Sequence, residues 1–196
     1  MLTQGQTLAV IGALAALVVA FGVWASHAAS GAPARRAVLA LDRALTGLAS
    51  ALAVAALALA VFAGAWQVVA RFATETPSVW SEALVRTALI WMALLGLSVA
   101  LRTGALVSID VAHRYSTGAV RRALEAASLA AALSFMGVLF WFGWTMAGRV
   151  RFQEMAGLEV SIAWGYAAIP VGAAFAMVGA LAAFLDRRSE ELEAAV

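Results

Sequence analysis

The charged side chains that could do chemistry in this sequence lie at the ends of long apolar runs. Glu82 and Arg86 are spaced i,i+4 at the start of one such run, where a helix would let them form an ion pair. Arg102, Gly104 and Asp110 follow where the same run ends. Charges at the edge of an apolar helix are compatible with an active site at the membrane surface or with a contact between subunits. The two interpretations differ in whether other catalytic residues are present in the chain.

No catalytic pattern accompanies these charges. His27 and His113 are the two histidines, and both fall at span ends or in connections, whereas a haem needs two facing imidazoles within a bundle. The sequence has no Ser/His/Asp set, HExxH, P-loop or GxGxxG motif, and it has no cysteine. Every Asp and Glu lies at or beyond a span end, whereas an ion-coupled carrier needs carboxylates or broken helices near the midplane. The sequence therefore predicts a chain that is not an enzyme, holds no cofactor or metal, and forms no substrate site by itself.

The composition indicates an integral membrane protein. Hydrophobic residues make up 64% of the 196 residues and charged residues only 12%, against about 45–50% and about 25% in soluble domains. Five uncharged runs are long: Thr7–Ala28, Ala44–Ala70, Thr87–Leu101, Ala126–Gly148 and Val160–Leu185.

The third run is too short to cross a bilayer alone, because a span needs about 20 residues. It must begin near Val79, which places Glu82 and Arg86 in its first two turns. We therefore expect an all-α integral membrane protein: a four-helix transmembrane core with one extra N-terminal transmembrane helix and amphipathic interfacial connections. The expected core spans are about 44–70, 79–101, 122–148 and 160–185.

The N-terminal residues 1–31 have two interpretations. Thr7–Ala28 is long for a signal peptide and lacks a basic region before it, although Ser26 and Ala28 provide a small-x-small cleavage pattern. We favour a retained span. Residues 32–188 would then form the four-helix membrane domain, and residues 189–196 a cytoplasmic tail.

Two connections are amphipathic. Ala32–Arg43 has apolar residues at helical spacing among its arginines, so it is either a helix on the membrane surface or a solvated loop entering the next span. Arg102–Arg122 has a similar mixture. All 13 basic residues are arginine, and nine of them fall in the loops on one side against four on the other. The positive-inside rule then places the C-terminus in the cytoplasm.

One face of the central span is lined by small residues. Arg86, Ala93, Gly96 and Ala100 share that face, and small residues let a second helix approach closely. Either packing within the bundle or contact with another subunit would explain it. A bulkier stripe lies beside this face and consists of Trp80, Leu84, Thr87 and Trp91.

The order of these residues resembles a known family. The first part of the pattern is Trp80-x-Glu82, Arg86, Trp91, Gly96, Arg102-x-Gly104 and Ile109-Asp110, and the second part is Gly157-Leu158, Trp164, Tyr166, Ile169-Pro170 and Gly172. Over about Ala44–Leu185 this pattern resembles the small permease (DctQ-like) subunit of tripartite ATP-independent periplasmic (TRAP) transporters. The sequence departs from the family at Ser81, where a second acid is common, and in having an additional first span.

The resemblance implies a non-catalytic membrane subunit. In such systems a periplasmic substrate-binding protein delivers an organic acid to a large permease subunit, which imports it with sodium ions across the bacterial inner membrane. The small subunit would brace the large one and help dock the binding protein. The residues expected to act as interface or structural groups are Trp80, Glu82, Arg86, Trp91, Gly96, Arg102, Gly104 and Asp110. The alternative from another class is a membrane anchor for a redox enzyme.

Overall fold

Four long helices form the described part of the chain. The computed structural model describes residues 12–13, 33–76, 78–103 and 118–194. The helices are α1 (Pro33–Phe72), α2 (Val79–Thr103), α3 (Gly118–Arg149) and α4 (Ala163–Ala194). Over these residues the all-α prediction is confirmed, since the β-structure described is an isolated bridge between Glu154 and Ser161.

Each helix contains a segment that is long and apolar enough to cross a membrane. The shortest of these segments, Ala163–Phe184, has 22 residues and would extend about 33 Å, slightly more than the hydrocarbon core. The predicted core of four membrane-capable helices is therefore confirmed. The additional span predicted at Thr7–Ala28 lies outside the described residues, apart from the helical residues Gly12 and Ala13, so both of its interpretations stay predictions.

The first amphipathic connection belongs to α1. This helix begins at Pro33 and continues through the apolar segment without a break, and proline suits a first helical position because its missing N–H would have no helical partner there. The solvated-loop interpretation of residues 33–43 is therefore wrong. The segment is helical, as the surface-helix interpretation requires, but no turn separates it from the span, and its location on the membrane surface stays a prediction. Most of the second connection, residues 104–117, lies outside the described residues.

The helices alternate in direction and pack in the order α1–α2–α4–α3. α2 packs on α1 and on α4, α3 packs on α4, and a smaller contact joins α1 to α4. α4 is the most buried of the four. α2 and α4 run in the same direction, because successive α2 residues Trp91, Leu94 and Ser98 meet the successive α4 residues Trp164, Gly172 and Gly179.

Glycines set the close approaches between these helices. A Cβ on Gly172 of α4 would lie 2.8 Å from Leu94 Cβ and 3.1 Å from the Leu94 carbonyl oxygen of α2. A Cβ on Gly143 of α3 would lie 2.7 Å from Ile169 Cγ2 and 2.9 Å from Pro170 Cδ of α4. Lipid chains are as apolar as leucine, so such close backbone packing is a main source of helix association in a membrane.

The 150–162 loop folds back on the start of α2. Met155 N donates to Val160 O and Ile162 N donates to Gln153 O, both at 2.8 Å. Gly157 has a φ of +85°, and a Cβ there would lie 2.9 Å from Trp80 N. Glycine is required at this position both for its left-handed backbone and for the approach to α2.

Candidate partner-contact site

An exposed ion pair lies near the beginning of α2. Arg86 Nη2 donates to Glu82 Oε1 at 2.8 Å, and the two side chains are 72% and 62% exposed. The i,i+4 spacing predicts this pair. An exposed pair contributes at most about 1 kcal/mol to stability, so folding gains little from it. Both groups remain available for contacts outside the chain.

A second ion pair, which is buried, lies near the other end of α2. Arg102 Nε donates to Asp42 Oδ2 of α1 at 2.6 Å, and the Asp42 side chain is only 2% exposed. Thr46 Oγ1 donates to the second Asp42 oxygen at 3.2 Å. A Cβ on Gly179 of α4 would be 3.4 Å from Arg102 Cβ. The pair therefore lies where α1, α2 and α4 meet.

Sequence reasoning singled out Arg102 but did not find Asp42 as its partner. Two signals were available: Asp42 is an acid among apolar residues at helical spacing, and the arginine counts place its segment on the same side as Arg102. Gly104 and Asp110, which the sequence grouped with Arg102, lie outside the described residues. Glu82 and Arg102 are twenty residues apart, or about 30 Å along a helix, which is the thickness of the hydrocarbon core.

The bulky stripe of α2 faces α4 and the 150–162 loop. Trp91 Nε1 donates to the Trp164 carbonyl oxygen at 3.0 Å, and Thr87 Oγ1 lies 3.3 Å from Met155 Sδ. The Trp80 backbone is covered by Gly157. Trp91 thus joins the second helix to the fourth, whereas the Trp80 backbone lies against the 150–162 loop.

The small-residue face of α2 is unfilled. No described atom lies within 4 Å of the position that a Cβ on Gly96 would occupy. Ala93 is exposed and Ala100 half-buried. We call Ala93, Gly96 and Ala100 the α2 seam. Packing among the described helices does not use Gly96, and the two explanations of this face stay predictions.

A cleft adjoins the seam through Glu82 and Arg86. It has a volume of about 510 Å³ and lies between the first half of α2, the 150–162 loop and the first turns of α4. Val79, Ile90, Ile162 and Ile169 give it apolar walls, and Glu82, Arg86 and Glu154 are its charged groups. It can therefore accept an elongated group that is apolar along its length and charged at its tip.

Comparison with known proteins assigns the fold to a transporter family. Residues 60–190, which are 131 of the 196 residues, match the family described as "Tripartite ATP-independent periplasmic transporters, DctQ component". The chain is also 30% identical over 110 residues to the sialic acid TRAP transporter small permease protein SiaQ of Vibrio cholerae, and this alignment covers 56% of the chain and 64% of that relative. The chain thus spans somewhat less than two thirds of the relative's length.

These matches confirm the resemblance read from the sequence. The family and the relative are transporter components and not enzymes, and the redox-anchor alternative receives no support from them. Together with four apolar helices they point to a multi-pass inner-membrane protein. This chain belongs to the DctQ component family of tripartite ATP-independent periplasmic transporters.

Proposed function

We propose that the chain is the non-catalytic small subunit of a TRAP-type importer that takes up organic acids together with sodium ions. It would brace the large permease subunit and help dock the periplasmic substrate-binding protein. The observation that carries this proposal concerns α2, which packs on α1 and α4 with its other faces, while Gly96 of the α2 seam has open space beside it among the described residues. The name of the relative, a sialic acid transporter component, supports an organic acid as the substrate class.

The orientation belongs to the same proposal. In the sequence, nine of the thirteen arginines fall in the segments assigned to the Arg102 side of the spans, so the positive-inside rule makes that side and the C-terminus cytoplasmic. Glu82, Arg86 and the 150–162 loop would then face the periplasm. Exposed tryptophans support this assignment, because Trp66, Trp141, Trp144 and Trp164 belong to the same end as Glu82 and would form an aromatic belt at that interface.

Co-purification tests the proposal directly. We expect the tagged chain, expressed together with its large permease and binding-protein partners, to retain the large permease subunit through extraction in a mild detergent. The large and small chains should elute together in size-exclusion chromatography. Elution of the small chain alone, while the permease is present in the same membranes, would contradict the proposed role.

Replacing Arg86 by alanine should reduce transport without changing specificity. The pair with Glu82 is exposed, so the loss should lower the free energy of unfolding by less than about 1 kcal/mol. If Arg86 contacts a partner, uptake by the reconstituted complex should fall by roughly tenfold, as for an interface charge. The measurement is initial uptake into proteoliposomes with several competing organic acids. Arg71→Ala, which removes an exposed arginine from the last turn of α1, is the control, and a changed substrate preference in Arg86→Ala would argue against a bracing role.

A further inference from the structure

The cleft beside α2 carries an excess of negative charge. Its charged lining consists of Glu82, Arg86 and Glu154. Arg86 pairs with Glu82, whereas no arginine in the described part of the chain lies within salt-bridge distance of Glu154. The lining therefore holds one carboxylate more than it can neutralise. Glu154 is exposed, so a cation carried near the end of a neighbouring apolar helix could reach it from the membrane side.

The cleft and the α2 seam form one continuous surface. Glu82 and Arg86 line the cleft and lie on the same side of the helix as Ala93, so the surface passes from the cleft onto the seam without crossing to another face. Gly96 and Ala100 continue it toward the other end of α2, where the space beside Gly96 is open among the described residues. Small residues along this length permit close approach by the backbone of a helix.

We propose that this surface receives one transmembrane helix of the large permease subunit. An arginine or lysine near the periplasmic end of that helix enters the cleft and pairs with Glu154, and the body of the helix lies along the α2 seam. The inference rests on the proposed function, because it names the contact through which the chain braces its partner. The inference adds two features of that contact: an arginine or lysine of the partner that pairs with Glu154, and close packing of the partner helix on the α2 seam.

Charge and shape favour this occupant over three others. A phospholipid can present an ammonium group to Glu154, but its flexible acyl chains gain little from a small-residue surface, whereas a helix packs closely on one. Thr7–Ala28 contains no arginine or lysine, so it does not offer the arginine or lysine proposed here, and contact with this segment is an outcome that the cross-linking experiment below detects. A second copy of this chain would fit only if one of its helices carried an arginine at the level of the cleft and also packed against Gly96. The cross-linking experiment below detects such a dimer.

Charge reversal at Glu154 tests the cationic tip. In the complex, Glu154→Arg should lower the amount of large permease that co-purifies by about tenfold, because like charges brought together at an interface cost several kcal/mol. Glu159→Arg is the matched control, since Glu159 is exposed on the same loop but does not line the cleft. Equal losses in the two variants, or no loss in Glu154→Arg, would overturn the proposal.

Gly96→Leu tests the helix crossing, with Gly47→Leu of α1 as its control. Both glycines have open space around the added Cβ among the described residues, so neither variant should lower the apparent melting temperature of the isolated chain, and the gain in helix propensity should raise it slightly. Only Gly96→Leu should reduce recovery of the large permease, again by about tenfold, because overpacking of a close contact is destabilising. If wild type binds the permease and Gly96→Leu binds equally well, this inference fails while the proposed function stands; if wild type does not bind, the proposed function itself fails.

Cross-linking identifies the occupant. The chain has no cysteine, so Ala93→Cys labelled with a photoactivatable group gives a single reactive position on the seam. We expect an adduct with the large permease in membranes that contain the complex. An adduct with lipid alone, with a second copy or with a peptide from Thr7–Ala28 would overturn the proposal in favour of that occupant.

Discussion

Arg102→Met is expected to prevent the small subunit from reaching a stable folded state. Methionine retains the apolar volume of the arginine but removes the guanidinium from Asp42, whose carboxylate is 2% exposed. Among the described residues, the Thr46 hydroxyl would then be the remaining side-chain hydrogen-bond donor to that carboxylate. Removing one member of a buried pair typically costs about 3–5 kcal/mol. The measurement is the apparent melting temperature in detergent, together with the fraction of protein in the monodisperse peak.

Asp42→Asn and a double variant provide the controls. Asp42→Asn should be milder than Arg102→Met, because the Arg102 side chain is 23% exposed and Asp42 is not its sole partner. Asp42→Leu combined with Arg102→Met should recover much of the lost stability, since apolar replacement of a whole buried pair is often neutral or stabilising. If Arg102→Met were as stable as wild type, or if the double variant were worse than both single ones, the pair would not join α1 to α2 as the geometry indicates.

The number and type of the helices could be predicted because they depend on local properties. Runs of apolar residues long enough to cross a membrane indicate four core helices, and the Glu82–Arg86 spacing predicts a pair within one helix. The shortness of the Thr87–Leu101 run gave the correct starting point for α2 at Val79. Each of these inferences uses residues that are neighbours in the sequence.

The order of helix packing could not be predicted in the same way. Membrane helices are apolar on every side, so the sequence does not distinguish a face that meets lipid from one that meets a helix. For the same reason Gly96 and Gly172 looked alike in the sequence, although Gly172 approaches Leu94 closely and Gly96 faces open space among the described residues. Asp42 and Arg102 are sixty residues apart, and their pairing depends on the packing of α1 against α2.

Gly172→Leu is the second substitution for which we expect a large effect, because it separates α2 from α4. Even a single added Cβ would lie 2.8 Å from Leu94 Cβ, 3.1 Å from its carbonyl oxygen and 3.2 Å from its carbonyl carbon. Two of these atoms belong to the backbone, so no change of side-chain rotamer relieves the overlap. The contact lies near the middle of α2, between the Trp91–Trp164 hydrogen bond and the Arg102 pair, and a leucine there should abolish the monodisperse peak.

Alanine at the same position gives a graded test, because two effects oppose each other. Replacing a helical glycine by alanine gains about 1 kcal/mol from helix propensity, whereas overpacking a tight contact costs about 1–3 kcal/mol. At Gly172 the overlap with the α2 backbone should dominate, and the apparent melting temperature should fall. At Gly47, where no described atom lies within 4 Å, the propensity gain is unopposed and the melting temperature should rise. A fall in melting temperature at Gly172 together with a rise at Gly47 would show that the backbones of α2 and α4 are in contact. Equal rises in melting temperature at both positions would mean that the two helices lie farther apart than the distances at Gly172 indicate.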